Sequence, residues 1–141
     1  MKTRFSSIVK YRHSQMQEAE AALQQALARV QKAKKELEEA KAGLADVKAP
    51  KTGAMQNFLA SRTLLDAQLR LIEKNEEWVA YEESQVNAAR EQLQKSMQEY
   101  EKFKYLETEE IKKIQKTLQK KENKLLDELA MIGFNQKEER R

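Results

Sequence analysis

Apolar residues recur at seven-residue intervals along the first third of the chain. One row runs from Val9 to Leu44, and an alanine-rich row from Ala19 to Ala40 lies three residues after it. Steps of three and four residues keep apolar side chains on one helix face and are typical of the a and d positions of a coiled coil. The pattern predicts a first helix over residues 3–47.

A second heptad pattern follows, and it predicts a helix over residues 58–134 with a charged tail at 135–141. Its main row contains Phe58, Leu65, Ile72, Val79, Val86, Leu93 and Tyr100. We assign this row to d, so the a row lies four residues after each member. That a row contains Leu69, Glu76, Glu83, Arg90, Met97, Ile111, Leu118, Leu125 and Ile132.

Glycine and proline break the pattern once, at Gly43, Pro50 and Gly53, which predicts a turn at residues 48–57. Neither helix can bury its apolar row alone, so the helices should pack on each other. The expected fold is all-α, an antiparallel two-helix coiled-coil hairpin with a longer, overhanging second helix. Residues 1–141 form a single coiled-coil domain in this interpretation.

Two pairings of the helices remain open. The first sets Val30 on Ile72 and places Arg12 against Arg90. The second sets Val30 on Val79 and moves Arg12 onto Met97. We slightly prefer the second, because it avoids opposing two arginines.

The second helix extends past the start of the first, so residues 105–134 keep an apolar stripe without an intramolecular partner. The stripe contains Ile111, Ile114, Leu118, Leu125, Leu129 and Ile132. A solvated helix gains nothing from such a stripe. Homodimerisation and docking into another protein both explain it.

A second apolar row lies one residue before the core row of the second helix. It contains Leu64, Leu71 and Trp78, and Leu59, Leu69 and Tyr81 widen it. This c position normally faces solvent, and tryptophan is enriched at binding hot spots. The row is either a docking patch or a surface covered by the turn.

Composition narrows the functional classes. With 35% charged residues, three glycines and no cysteine, the chain has the composition of long helices and lacks thiolate metal ligands. His13 is the only histidine, and there is no phosphate-binding glycine loop. We expect no catalytic, metal-binding or cofactor-binding residues, and therefore no enzyme. Without a membrane span or signal peptide, a soluble, cytoplasmic protein is expected.

The whole pattern resembles the FliJ family of flagellar type III export proteins. The resemblance rests on the basic start KTRFSSIVKYR, the alanine-rich first coil, the stretch NFLASRTLLDAQLRLI and the segment ENKLLDELA. It implies a non-enzymatic stalk, similar to the central stalk of rotary ATPases, that takes part in chaperone escort and bacterial flagellum biogenesis.

The resemblance also implies partners and contact residues. Family members bind the hexameric export ATPase and promote its assembly, contact the cytoplasmic domain of the export gate, and escort export chaperones. They work in the cytoplasm, peripherally associated with the export apparatus at the inner membrane. The gate contact falls on Phe58, Leu65, Leu69 and Ile72, and overlaps the patch of Leu64, Leu71 and Trp78. The ATPase contact falls on Phe5, Ile8, Leu118, Leu125, Leu129 and Ile132.

Two other functions compete. A homodimeric structural coiled-coil tether or spacer explains the stripes but not the second apolar row. A binder of nucleic acid or of a membrane surface could use the basic residues 1–17, but four basic residues make that a weak case. We therefore expect no specific nucleic acid partner and no direct membrane insertion.

Overall fold

The computed structural model describes residues 2–47 and 53–139. It contains two helices, α1 over Ser6–Asp46 and α2 over Met55–Glu139, and no strand occurs in the described ranges. The two helices pack against each other. The predicted all-α hairpin is confirmed.

Contacts divide the chain into two units. The central unit contains residues 15–96, and the terminal unit contains residues 2–14 together with residues 97–139. Helix α2 contributes to both units, with 85 residues against 41 in α1.

The start of α1 is capped by its own side chains. The Thr3 amide donates to Ser6 Oγ at 2.8 Å, and the Phe5 amide donates to Thr3 Oγ1 at 3.1 Å. This is the reciprocal arrangement of a capping box, which satisfies amides that have no partner within the helix. The cap fixes the point at which the basic N-terminal segment becomes helical.

Helix α2 begins and ends beyond the limits that the sequence pattern predicts. It starts at Met55, inside the predicted turn, after Gly53 with a φ of 149° that favours glycine. It continues through Gly133 to Glu139, because a single interior glycine costs a helix only about 1 kcal/mol. Residues 48–52 of the predicted turn, and the last two residues of the predicted tail, lie outside the described residues.

The core of the central unit is narrow and rich in alanine. From α1 it takes Ala19, Ala26, Val30, Ala33 and Ala40, of which Ala33 is 0% exposed. From α2 it takes Val86, and two polar residues, Glu82 and Ser96, are buried with it. Small side chains along α1 let the two helices approach closely, so the opposing positions can be short or polar.

The second row of the α2 seam, beside the Phe58 row, differs from the prediction. The assigned a-row members Glu76, Glu83 and Arg90 are exposed, and Leu69 and Met97 are 47% and 40% exposed. The buried and half-buried row lies three residues after the Phe58 row instead of four. It contains Ser61, Gln68, Asn75, Glu82, Ala89, Ser96 and Phe103. The Phe58 row is therefore a, and the row three residues after it is d; Val86 of the a row packs in one cluster with Ala26 of α1.

This change of row also shifts the pairing of the helices. Val30 packs in one cluster with Val86, and its neighbour Arg29 bonds to Glu82, so α1 lies beside residues beyond both predicted partners, Val79 and Ile72. In the terminal unit, Arg12 reaches Glu99 at 4.0 Å instead of lying on Met97 or Arg90. Neither predicted pairing is correct, because both followed the more apolar row.

One close approach depends on glycine. The Gln68 side chain donates from Nε2 to the Ala40 carbonyl at 2.7 Å. A Cβ at Gly43 would lie 2.7 Å from the same nitrogen. The absence of a side chain at Gly43 therefore makes room for a polar link between α1 and α2.

Candidate interaction surfaces

An exposed apolar patch covers the start of α2. Phe58 is 45% exposed, and Leu64 is 63% exposed. Leu59, Leu65, Leu69 and Leu71 are exposed as well. Large aliphatic side chains grouped in this way on a helix surface mark a contact site or an aggregation liability.

Part of this patch forms a groove. The groove has a volume of about 650 Å³ and is lined by Val47 from the end of α1 together with Met55, Phe58, Leu59 and Leu65 from α2. Arg62 and Asp66 place opposite charges at its wall. A hydrophobic groove of this kind can accept the apolar face of an amphipathic helix.

Trp78 does not belong to the exposed part of the patch. It is half-buried, and its indole Nε1 donates to Glu82 Oε1 at 3.2 Å. Arg29 of α1 donates from Nε to the other oxygen, Glu82 Oε2, at 3.1 Å. Glu82 is 6% exposed, so one buried carboxylate joins the tryptophan to the opposite helix.

The terminal unit is held together by polar and aromatic contacts. Arg12 lies over the Phe103 ring at 5.6 Å, and the His13 and Tyr100 rings lie 5.2 Å apart. Arg4 pairs with Glu110 at 3.7 Å. Two of the four basic charges of the N-terminal segment are therefore balanced by acidic residues of α2.

An unpaired apolar stripe occupies the C-terminal part of α2. Every described residue from Gln115 to Glu139 is exposed. The stripe residues Leu118, Leu125, Leu129 and Ile132 are between 49% and 63% exposed. The heptad pattern continues here without any surface of the described chain covering it.

The predicted contact residues thus fall into separate environments. Phe58 and Leu65 line one groove, and Leu64, Leu69 and Leu71 are exposed outside it. Ile72 is half-buried in the seam. Of the predicted ATPase-contact residues, Phe5 and Ile8 are half-buried, and the four residues from Leu118 to Ile132 are exposed.

Sequence reasoning missed several groove residues, among them Met55 and Arg62. Met55 is 75% exposed and lies one helical turn before Leu59, which in turn precedes Arg62 by three residues. Extending the helical spacing of the patch backwards from Leu59 finds Met55, provided that the helix is taken to start before residue 58.

The described ranges lack two kinds of site. No group of histidine, cysteine, aspartate or glutamate side chains there is arranged to hold a metal ion. Neither helix contains a described stretch that is long and apolar enough to cross a membrane.

Comparison with known proteins adds one match. The family model described as Flagellar FliJ protein matches residues 1–139. No curated protein and no solved structure matches the chain. Since the family match covers almost the full length, the chain belongs to the FliJ family and is a structural component of the flagellar protein export apparatus.

Proposed function

We propose that this chain is a non-enzymatic stalk that binds the hexameric export ATPase and promotes its assembly. The exposed stripe from Leu118 to Ile132 carries the proposal. Its leucine and isoleucine side chains remain in water, and burying each one fully would contribute about 1.5 to 3 kcal/mol. A partner that covers the stripe therefore has a large favourable free energy available.

The apolar patch around Phe58 and Leu65 supports a second contact, with the cytoplasmic domain of the export gate. This patch belongs to the central unit, whereas the stripe belongs to the terminal unit. Two surfaces on separate units allow two partners to be bound by one chain without sharing residues. The groove beside Phe58 gives a partner side chain or helix a defined place to bind.

Escort of export chaperones, and association with the export apparatus at the inner membrane, complete the proposal. Membership of the FliJ family supports both, and co-purification with a chaperone tests the first.

The assignment of the stripe can be tested with a single charge. Leu125→Asp and Leu118→Asp should each weaken binding to the export ATPase of the same organism by about 10- to 100-fold, because each removes an aliphatic side chain that the complex would bury. Gln119→Asp is the matched control, since it adds the same charge at an exposed position next to the stripe. Light-scattering mass and ATPase rate of the mixture report binding.

Binding to the gate domain provides the reciprocal test. Leu65→Asp should weaken gate binding by a similar factor and leave ATPase binding unchanged. Equal ATPase affinity for Leu125→Asp, Leu118→Asp and the wild type would contradict the assignment of the stripe.

A homodimeric tether is the competing function, because the same stripe could pair with a second copy. Light scattering of the chain alone separates the two. A monomer that joins the ATPase hexamer and raises its rate supports the stalk. A concentration-independent dimer without effect on the ATPase supports the tether.

A further inference from the structure

A row of lysines lies on one face of α2 in the terminal unit. We name it the lysine ridge, and it consists of Lys112, Lys113, Lys116, Lys120 and Lys124. Steps of three and four residues keep these side chains on one side of the helix over about 18 Å. All five are exposed.

The ridge lies on the face opposite the apolar stripe. At 3.6 residues per turn, the directions of Lys112, Lys116 and Lys120 differ by about half a turn from those of Ile111, Ile114 and Leu118. Although Glu122 interrupts the lysines in sequence, the helix places it away from the ridge. Glu109 and Asp127 share the direction of the ridge and bound it at its two ends, so its face carries only basic charge from Lys112 to Lys124.

The charges of the ridge repel each other within the helix. Lys112, Lys116, Lys120 and Lys124 follow one another at four-residue steps, where like charges destabilise a helix. Of the five, Lys112 reaches an acidic side chain, Glu109, at 3.5 Å.

The lysines of α1 are arranged in the opposite way. Lys32, Lys34 and Lys35 are each followed four residues later by a glutamate. Lys34 also pairs across the helices with Glu83 at 3.8 Å. The ridge is balanced in this way only at its ends, whereas Lys116 and Lys120 at its centre have no acidic residue three or four positions away, which indicates that they meet external negative charge.

We propose that the lysine ridge is a docking surface for a bilayer rich in anionic phospholipid. A straight, exposed row can bring all five ammonium groups close to a flat anionic surface at once. Each lysine near such a surface strengthens binding about fivefold, and the attraction falls off over about 8 Å at physiological salt. The apolar stripe faces away, so the helix lies on the surface without inserting.

The chemistry of the ridge favours lipid over other anions. Protein interfaces are enriched in arginine and depleted in lysine, yet residues 91–139 contain no arginine. Sites for single-stranded nucleic acid add aromatic side chains for base stacking, and the segment from Lys112 to Lys124 contains none. Hydrated, non-directional attraction to a headgroup layer requires only the lysines.

The test uses the full chain and two kinds of vesicle. One kind is half phosphatidylglycerol and half phosphatidylcholine, and the other is phosphatidylcholine alone. Co-sedimentation should show binding to the first kind only, and the binding should weaken steeply as salt is raised. The triple variant Lys116→Gln, Lys120→Gln and Lys124→Gln should bind about 100-fold more weakly than the wild type.

The matched control is the triple variant Lys32→Gln, Lys34→Gln and Lys35→Gln. It removes the same net charge from exposed positions of α1. Its binding should remain within about threefold of the wild type. Circular dichroism verifies that both variants keep their helices.

Three results would overturn the proposal. The first is failure of the wild type to bind phosphatidylglycerol vesicles. The second is an equal loss of binding in the two triple variants, which would mean that net charge alone, and not the ridge, accounts for vesicle binding. The third is vesicle binding unchanged in the ridge variant, with weaker binding of the same variant to the export ATPase or to a short RNA. Because vesicles contain neither the ATPase nor the gate, failure here leaves the proposed function standing.

Discussion

The central unit and the C-terminal part of α2 use the same heptad pattern in different ways. In the middle of the central unit the pattern is satisfied internally, with Ala26, Val30 and Val86 packed into one cluster. From Gln115 to Glu139 the pattern continues with larger side chains, and every described residue is exposed. The segment with the larger aliphatic side chains in its heptad rows is thus the one without a partner.

This difference separates stability from binding. The buried alanines of α1 contribute little hydrophobic free energy per residue, but they define how closely the helices pair. Exposed leucines contribute almost nothing to folding and remain available to a partner. The buried heptads around Val30 and Val86 therefore specify the fold, and the exposed heptads of the C-terminal part are available to a partner.

The largest expected effect comes from placing the same charge in both regions. Val86→Asp would bury an unpaired carboxylate and should lower the free energy of unfolding by about 3 kcal/mol. Leu125→Asp places a carboxylate at an exposed position and should change the free energy of unfolding by less than about 0.5 kcal/mol. Urea denaturation followed by far-ultraviolet circular dichroism measures both. Equal losses would mean that the two regions are packed alike.

A smaller effect tests the buried carboxylate of the central unit. Glu82→Ala leaves Arg29 and the Trp78 indole without their acceptor and should cost about 2 kcal/mol. Glu83→Ala is the matched control, because the Glu83 side chain is 54% exposed and its ion pair with Lys34 contributes less than about 1 kcal/mol. If the two variants unfold at the same urea concentration, the Glu82 contacts do not stabilise the unit.

The smallest expected effect is a gain of stability in the C-terminal part of α2. Gly133→Ala should stabilise α2 by about 1 kcal/mol, since a Cβ there meets no atom within 4 Å. At Gly43 the same substitution should gain much less, because the new methyl group would displace the Gln68 amide. Thermal denaturation compares the two, and a larger gain at Gly43 would contradict the close approach seen there.

The fold could be predicted from the sequence, but the pairing of its helices could not. Heptad spacing in α1 identifies Val9, Ala26 and Val30, all of which are buried. In α2, apolarity favours Leu69 and Met97 over Gln68 and Ser96, yet the polar residues face α1. These polar residues are placed by contacts with α1, such as the bond from Gln68 to the Ala40 carbonyl, and a pattern read one helix at a time does not contain that information.

Prediction of the candidate surfaces from sequence spacing has the same limit. Spacing was sufficient to identify the apolar residues Leu64 and Leu71, which are exposed. It also placed Trp78 among them, whereas the structure turns this side chain toward Glu82 and partly buries it. The direction of a long amphipathic side chain depends on the hydrogen-bond partner that it finds, and that partner is itself held by Arg29 of the other helix.

The single tryptophan is an intrinsic fluorescence probe of the central unit. Trp78 lies in the central unit and contacts a carboxylate that is bonded to α1, so its fluorescence depends on the separation of the two helices there. Circular dichroism, in contrast, averages over both units. A difference between the two signals during unfolding would therefore show, in unlabelled protein, that the units melt one after the other.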